Sequence, residues 1–221
     1  MNLLDHYLNT HVMVELAGKQ KFTGLLVDYG LDVLVLYNGV VYRYIPLMQL
    51  HNIRPNPQIE QQIVLSGLNP MENQTENISL RNILSNAKGM FVEIYVSGNQ
   101  TIHGYVTSML TNYFVFYSPV YKTMFVALNH LKWLTPYNQS TTPYSLGKEH
   151  LPVHPAKLIL PRTFEEQLKK LEGKLVIFDI GDHPHKIGLL QKVESNMVEI
   201  VTGEGEIISW NVQHLKAVYL P

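Results

Sequence analysis

Cysteine is absent from all 221 residues. Disulfide staples, thiolate chemistry and Cys-type zinc sites are therefore unavailable. Charge is scarce as well. Charged residues make up 16% of the chain and the formal net charge is −1, so no general basic field exists to hold a phosphate backbone. No apolar run approaches the roughly 20 residues that a membrane-spanning helix needs. The start, Met1-Asn2-Leu3-Leu4-Asp5-His6, has neither a basic cluster nor a long apolar stretch and reads as carrying no secretion signal. Catalytic signatures are missing too: there is no G-x-S-x-G elbow, no phosphate loop and no dinucleotide fingerprint. The expectation is a protein that is not an enzyme, uses no cofactor, is made in the cytosol and does not enter membranes.

What is present is apolar and repeated. Hydrophobic residues reach 46%, which sets the chain apart from disordered sequences. Three segments end alike: Gln49-Leu50-His51-Asn52-Ile53, His130-Leu131-Lys132-Trp133-Leu134 and His214-Leu215-Lys216-Ala217-Val218. Upstream of each stands a glycine followed by large residues: Gly24-Leu25-Leu26, Gly104-Tyr105-Val106 and Gly188-Leu189-Leu190. The glycine-to-leucine separations (Gly24 to Leu50, Gly104 to Leu131, Gly188 to Leu215) are 26, 27 and 27 residues. Constant spacing inside variable sequence predicts a repeated fold. The reading is three units at 1–55, 79–136 and 163–221, joined by linkers at 56–78 and 137–162. Units this small bury only roughly 60% of their unfolded surface and should lean on one another.

Each unit opens with a helix signal. Asn2 and Ser79 suit the capping position, and Thr163 with Glu166 forms a capping box. First strands follow at His11 to Leu16, Met90 to Val96 and Leu175 to Ile180. Second strands run through the repeated glycine, which reads as a bulge or a corner where the sheet curls. Third strands are Val33 to Tyr37, Tyr113 to Tyr117 and Met197 to Val201. Asn38-Gly39 then predicts a two-residue type I′ hairpin. Fourth strands span Val40 to Ile45, Lys122 to Ala127 and Glu206 to Trp210, and the Leu-basic endings form the fifth. One helix plus five curled antiparallel strands describes a small bent barrel, in the element order of the Sm-like fold; an SH3-like barrel is the rival. Apolar triplets in the linkers, Ile63-Val64-Leu65 and Leu158-Ile159-Leu160, are expected to dock on a barrel.

The ten histidines invite a metal reading, with His183/His185 and His150/His154 the tightest pairs. A zinc site needs three or four convergent ligands, so solvated turn histidines are the better account and no metal is expected. An Sm-like fold also raises RNA binding. Asn112 and Asn196 precede third strands, with Asp32 at the matching first-unit position and Tyr29 nearby. No arginine follows the fourth strands, where Pro46-Leu47, Leu128-Asn129 and Asn211-Val212 stand, so phosphate neutralisation is lacking and nucleic acid is not the expected partner. Tyr37, Tyr42, Tyr44, Tyr113, Tyr117, Tyr121 and Trp210 cluster near the ends of third and fourth strands. They are either cross-strand packing or a surface used in association.

The run from Gly24-Leu25-Leu26-Val27-Asp28 through Tyr42-Arg43-Tyr44-Ile45-Pro46 to Leu50-His51-Asn52-Ile53, with its two echoes, resembles the repeated domain of spore coat proteins in endospore-forming bacteria, the outer spore coat protein B family in particular. The resemblance covers nearly the whole chain. It implies a non-catalytic structural protein placed in the spore coat, with other coat proteins as partners and self-association as a possibility. Fourth and fifth strands of such barrels leave edges on which neighbours can pair.

Overall fold

The computed structural model describes residues 2–56, 78–98, 100–137, 143–145 and 159–221. The Ile63-Val64-Leu65 triplet, Leu158 and the His150/His154 pair lie outside them. Of the second triplet, Leu160 packs against the interior, whereas Ile159 is 87% exposed.

The strands are β1 (His11–Leu16), β2 (Lys21–Tyr29), β3 (Val33–Tyr37), β4 (Tyr42–Pro46) and β5 (Leu50–Pro55), then β6 (Phe91–Tyr95), β7 (Ile102–Met109), β8 (Tyr113–Ser118), β9 (Lys122–Ala127) and β10 (Trp133–Pro136), and finally β11 (Leu175–Phe178), β12 (Ile187–Glu194), β13 (Met197–Val201), β14 (Ile207–Asn211) and β15 (Ala217–Tyr219). All 15 belong to one open sheet in the order β14-β13-β12-β11-β15-β9-β8-β7-β6-β10-β4-β3-β2-β1-β5. Each group of five repeats one pairing order: fifth, first, second, third, fourth. Among the described residues every strand ladder is antiparallel.

Three separate barrels are therefore not what forms. Within a group the fourth and fifth strands do not pair with each other. Instead β4 pairs with β10 and β9 pairs with β15, so the groups fuse edge to edge into one continuous sheet. The physical reason is that both strands are edges, and an edge is satisfied as well by a neighbouring group as by its own.

Helix α1 (Leu80–Asn86) is capped by Ser79, and α2 (Phe164–Lys169) by a complete Thr163/Glu166 capping box. The first helix is a 3-10 turn, Leu3–Tyr7, with Asn2 and Asp5 capping reciprocally and only Leu4 buried. The repeated glycines serve close approach. An added Cβ would stand 2.7 Å from the Tyr37 carbonyl oxygen at Gly24, 2.0 Å from that of Tyr117 at Gly104 and 2.3 Å from that of Val201 at Gly188. The expected bulge lies two residues further on, where the register shifts between Leu26 and Asp28, Val106 and Ser108, and Leu190 and Lys192. The Asn38-Gly39 hairpin also differs from the type I′ expectation. Only Gly39 has positive φ, and the Asn38 side chain accepts from the Val40 and Val41 N–H groups, giving a loop of four residues between Tyr37 and Tyr42.

The interior divides into three clusters that ignore the group boundaries. The first group's cluster takes in Tyr95 and Trp133 of the second. The second group's cluster takes in Val33, Val35, Tyr42 and Tyr44 of the first and Tyr219 of the third. The third takes in Tyr113, Val115, Phe125 and Ala127 of the second.

Candidate association interface

Two joints hold the groups together, and they are built from equivalent residues. At the strand level Leu134 of β10 faces Tyr44 of β4, and Val218 of β15 faces Phe125 of β9. These are the same repeat positions in the same register. Three further contacts recur. The residue before the repeated leucine donates to a backbone carbonyl of the next group: Gln49 Nε2 to Asn129 O at 2.6 Å, and the His130 ring, through Nε2, to Gln213 O at 2.7 Å. The lysine after that leucine reaches back to the first-strand turn of the preceding group: Lys132 Nζ to Ala17 O at 2.7 Å, and Lys216 Nζ to Ser97 Oγ at 2.8 Å. The residue before the third strand accepts from the first N–H of the next group's helix: Asp32 Oδ1 from Leu80 N and Asn112 Oδ1 from Phe164 N, both at 2.8 Å. That N–H has no acceptor inside its own helix, so the joint satisfies a group that folding leaves orphaned.

The first joint has an aromatic anchor. Trp133, 4% exposed, stacks on Tyr95 with centroids 4.2 Å apart and meets Phe22 edge-on at 4.9 Å. The Arg43 guanidinium lies 4.0 Å over the Phe22 ring and 6.0 Å from that of Trp133. Behind the second joint, wholly within the third group, lies a buried ion cluster instead. Asp179, with no exposed surface, accepts from Lys186 Nζ at 2.6 Å and from the Lys216 and Ala217 N–H groups at 2.7 and 3.1 Å. It is held there in a left-handed conformation, φ 50°, beside Ile180 at φ 68°. Burial works against the Lys186 ammonium, but the hydrogen bond to Asp179 and the charges of Asp179 and Asp182 outweigh it and raise its pKa. His130 moves the other way: burial lowers its pKa, although its bond to the Gln213 carbonyl opposes the shift.

The loops that carry these contacts converge. Asp32, Asn112 and Asn196, with Met48, Asn129 and Gln213, line one cleft of about 520 Å³ between the three groups. Asn112, expected as a possible base contact, is thus spent on the α2 N-terminus, and Asp32 on that of α1. Asn196 is exposed, at φ 62°.

The aromatic set divides. Tyr37, Tyr42, Tyr44 and Tyr113 are buried, which corrects the reading of them as an outward surface. Tyr44 is nonetheless an association residue inside the chain, since it faces Leu134 across the first joint. Tyr113 donates to the Pro161 carbonyl, and burial, with the Glu166 charge, pushes its phenol up to about 12. Tyr117, Tyr121 and Trp210 are half-buried. Tyr121 lines a second cleft of about 700 Å³ beside Tyr95, His103, Trp133 and Tyr144. Trp210 Nε1 donates to the His185 carbonyl, and Lys186 lies 5.5 Å from its ring. His183 and His185 sit with ring centroids 4.7 Å apart, His185 being 3.7 Å from Glu206. Among the described residues no group of three or more His, Asp or Glu side chains is arranged to hold a metal ion.

Gly24, Gly104, Gly188, Leu50, Leu131 and Leu215 all take their places in the repeat. The residues that sequence reading missed are the joint contacts themselves. Their signal was present in the recurrence of His130 and His214 and of Lys132 and Lys216, but recurrence alone does not say what a side chain touches.

This architecture defines a mainly β protein of three like groups fused edge to edge. Residues 163–218, from the α2 cap into β15, match the family model described as the YwrJ third domain. The whole chain is 45% identical over 225 aligned positions, covering 100% of both sequences, to the uncharacterized protein YwrJ of Bacillus subtilis (strain 168). The chain belongs to the YwrJ family.

Proposed function

We propose that this chain is a non-catalytic structural protein of the bacterial spore coat, built from three Sm-like units and working by protein–protein association, with other coat proteins as partners. One observation carries the reading: the same edge-to-edge joint is made twice, and one strand of each joining kind, β5 and β14, is left at the two ends of the sheet. A molecule organised in this way is suited to holding neighbours. The order of elements along each group, a helix or helical turn followed by five antiparallel strands, is that of an Sm-like unit, and the sequence resemblance to coat proteins points in the same direction. Two residues that an Sm-like RNA site would offer to bases, Asp32 and Asn112, are occupied with helix N-termini, which favours assembly over RNA binding.

The test is a tagged chain expressed from its own promoter in a sporulating host. Recovery in the coat extract of washed, purified spores is the expected outcome. Equal abundance in growing cells and loss from washed spores would end the coat assignment. Retention of poly(U) on filters at micromolar protein and low salt would replace it with the RNA reading.

A further inference from the structure

The ends of the sheet are not alike. Among the described residues β14 pairs only with β13, and β5 only with β1. β14 is the counterpart of β4 and β9. β5 is the counterpart of β10 and β15. The sheet thus ends in the two halves of a joint already made twice within it. We infer that the partner at these edges is a second copy of the same chain, with β14 of one copy paired antiparallel to β5 of the next. This rests on the association reading above and names its partner.

The register follows from the internal joints. Leu134 opposite Tyr44 and Val218 opposite Phe125 place Ile53 opposite Ser209 of the other copy. The remaining contacts have their counterparts waiting. His214, exposed, occupies the position of Gln49 and His130 and would reach the Met48 carbonyl. Asn196 occupies the position of Asp32 and Asn112 and would accept from the Leu3 N–H. His51, in place of Lys132 and Lys216, would reach the Gly181 carbonyl. Exposure supports the match. Leu80 and Phe164, which follow their caps at the two joints, are 4% and 3% exposed, whereas the equivalent Leu3 is 82% exposed. The edges also complement each other in charge. β5 carries His51 and Arg54 and no acid, while the β13–β14 hairpin carries Glu199, Glu204 and Glu206 and no base. In this register Arg54 lies opposite Ile208 and diagonal to Glu206 on the same face, a spacing long side chains can span.

Backbone alternation supplies a clean test. Val212 N donates to Asn196 O within the hairpin, so Ser209, three residues away, points its N–H outward from β14. Asn56 N donates inward to His11 O, so Ile53 points its N–H outward from β5. Proline at an outward edge position leaves the strand's own ladder intact while removing the donor a partner needs. Ser209→Pro and Ile53→Pro should each fold with near-UV dichroism close to wild type, Ser209→Pro with a wild-type urea midpoint and Ile53→Pro with a lower one, because the Ile53 side chain packs partly buried against the first group's cluster, and each alone should be monomeric by light scattering. Wild type should form multiples of the chain mass at tens of micromolar, weakened at least tenfold between 50 and 500 mM salt. Mixing the two variants should restore a complex of two chains, because each retains the edge the other lacks. The double variant Asn196→Ala/His214→Ala, which leaves the backbone untouched, should weaken association in the same assay. A discrete two-chain particle and a ladder of multiples both carry the joint, the first meaning that the arc closes. A monomeric wild type, association unchanged in either proline variant, or no complex on mixing overturns it. A monomeric wild type that is still recovered in the spore coat would sink the second-copy joint while leaving coat association standing.

Discussion

Trp133→Ala tests whether the groups share one interior. The indole belongs to β10 of the second group, yet it packs in the cluster of the first, against Tyr95 and Phe22. Truncating a buried aromatic to alanine costs about 3–5 kcal/mol, a figure that already includes the cavity left behind. Stacked and edge-on partners of this kind account for about 0.5–1.5 kcal/mol per pair beyond area burial, so the upper half of the range is expected here. For a chain of this size each kcal/mol lowers Tm by about 2–4 °C, giving a fall of about 8–20 °C. The chain has two tryptophans, so Trp210→Phe leaves Trp133 as the sole indole reporter of the first joint. Urea unfolding followed by that emission and by far-UV dichroism should give coincident transitions. Trp133→Ala, followed by dichroism and calorimetry, should shift the whole transition. A loss below about 1 kcal/mol, well under the truncation range, would refute the shared interior. So would a first group that melts early while the other two keep the wild-type midpoint.

Other substitutions probe other parts of the frame. Alanine at Gly104, Gly188 and Gly24 should destabilise in that order, following Cβ-to-carbonyl distances of 2.0, 2.3 and 2.7 Å, with the first costing at least about 2 kcal/mol in urea titrations. Asp179→Asn leaves the Lys186 ammonium without its buried carboxylate and should cost about 3–5 kcal/mol, whereas Asp179→Asn with Lys186→Met should recover much of that loss. His130 has a lowered pKa in the folded chain, so the unfolded chain binds its proton more readily. Stability should therefore fall as pH drops below about 6.5, the ordinary histidine value. His130→Gln, which copies Gln49 of the first joint, should flatten that part of the pH profile measured by thermal melts. Asn112→Ala removes the acceptor for Phe164 N and should cost about 1 kcal/mol in the same melts, as loss of a helix cap does.

The local chemistry of the chain was legible in its residues. Ser79 and the Thr163/Glu166 pair mark real helix starts, and the third strands begin where the apolar runs place them. Long-range choice was not legible. Fourth and fifth strands have the same pattern whether they meet within a group or between groups, so nothing in Tyr42–Pro46 declares that its partner is Trp133–Pro136. The tyrosines misled for a related reason. Alternation separates two faces of a strand, but Val33–Tyr37 and most of Tyr42–Pro46 are covered on both sides, and the alternation loses its meaning. Asn38 misled through its side chain, which replaces a backbone turn by accepting two N–H groups at once. Asp179 gave no signal at all, because the run Leu175 to Ile180 reads as one strand passing through it, whereas the strand ends at Phe178 and the acid turns inward to partners from β15 and the loop at Lys186.

An interior that runs through every boundary has a consequence for how such a chain can change over time. A cut between two thirds does not release finished proteins but leaves torn apolar seams, with Trp133 and Tyr95 stripped of Phe22 on one side and Tyr113 and Phe125 stripped of Phe164 and Val218 on the other. Gain or loss of a single third by recombination would have to be repaired in every group it adjoins. The length of the array is thereby inherited as a whole.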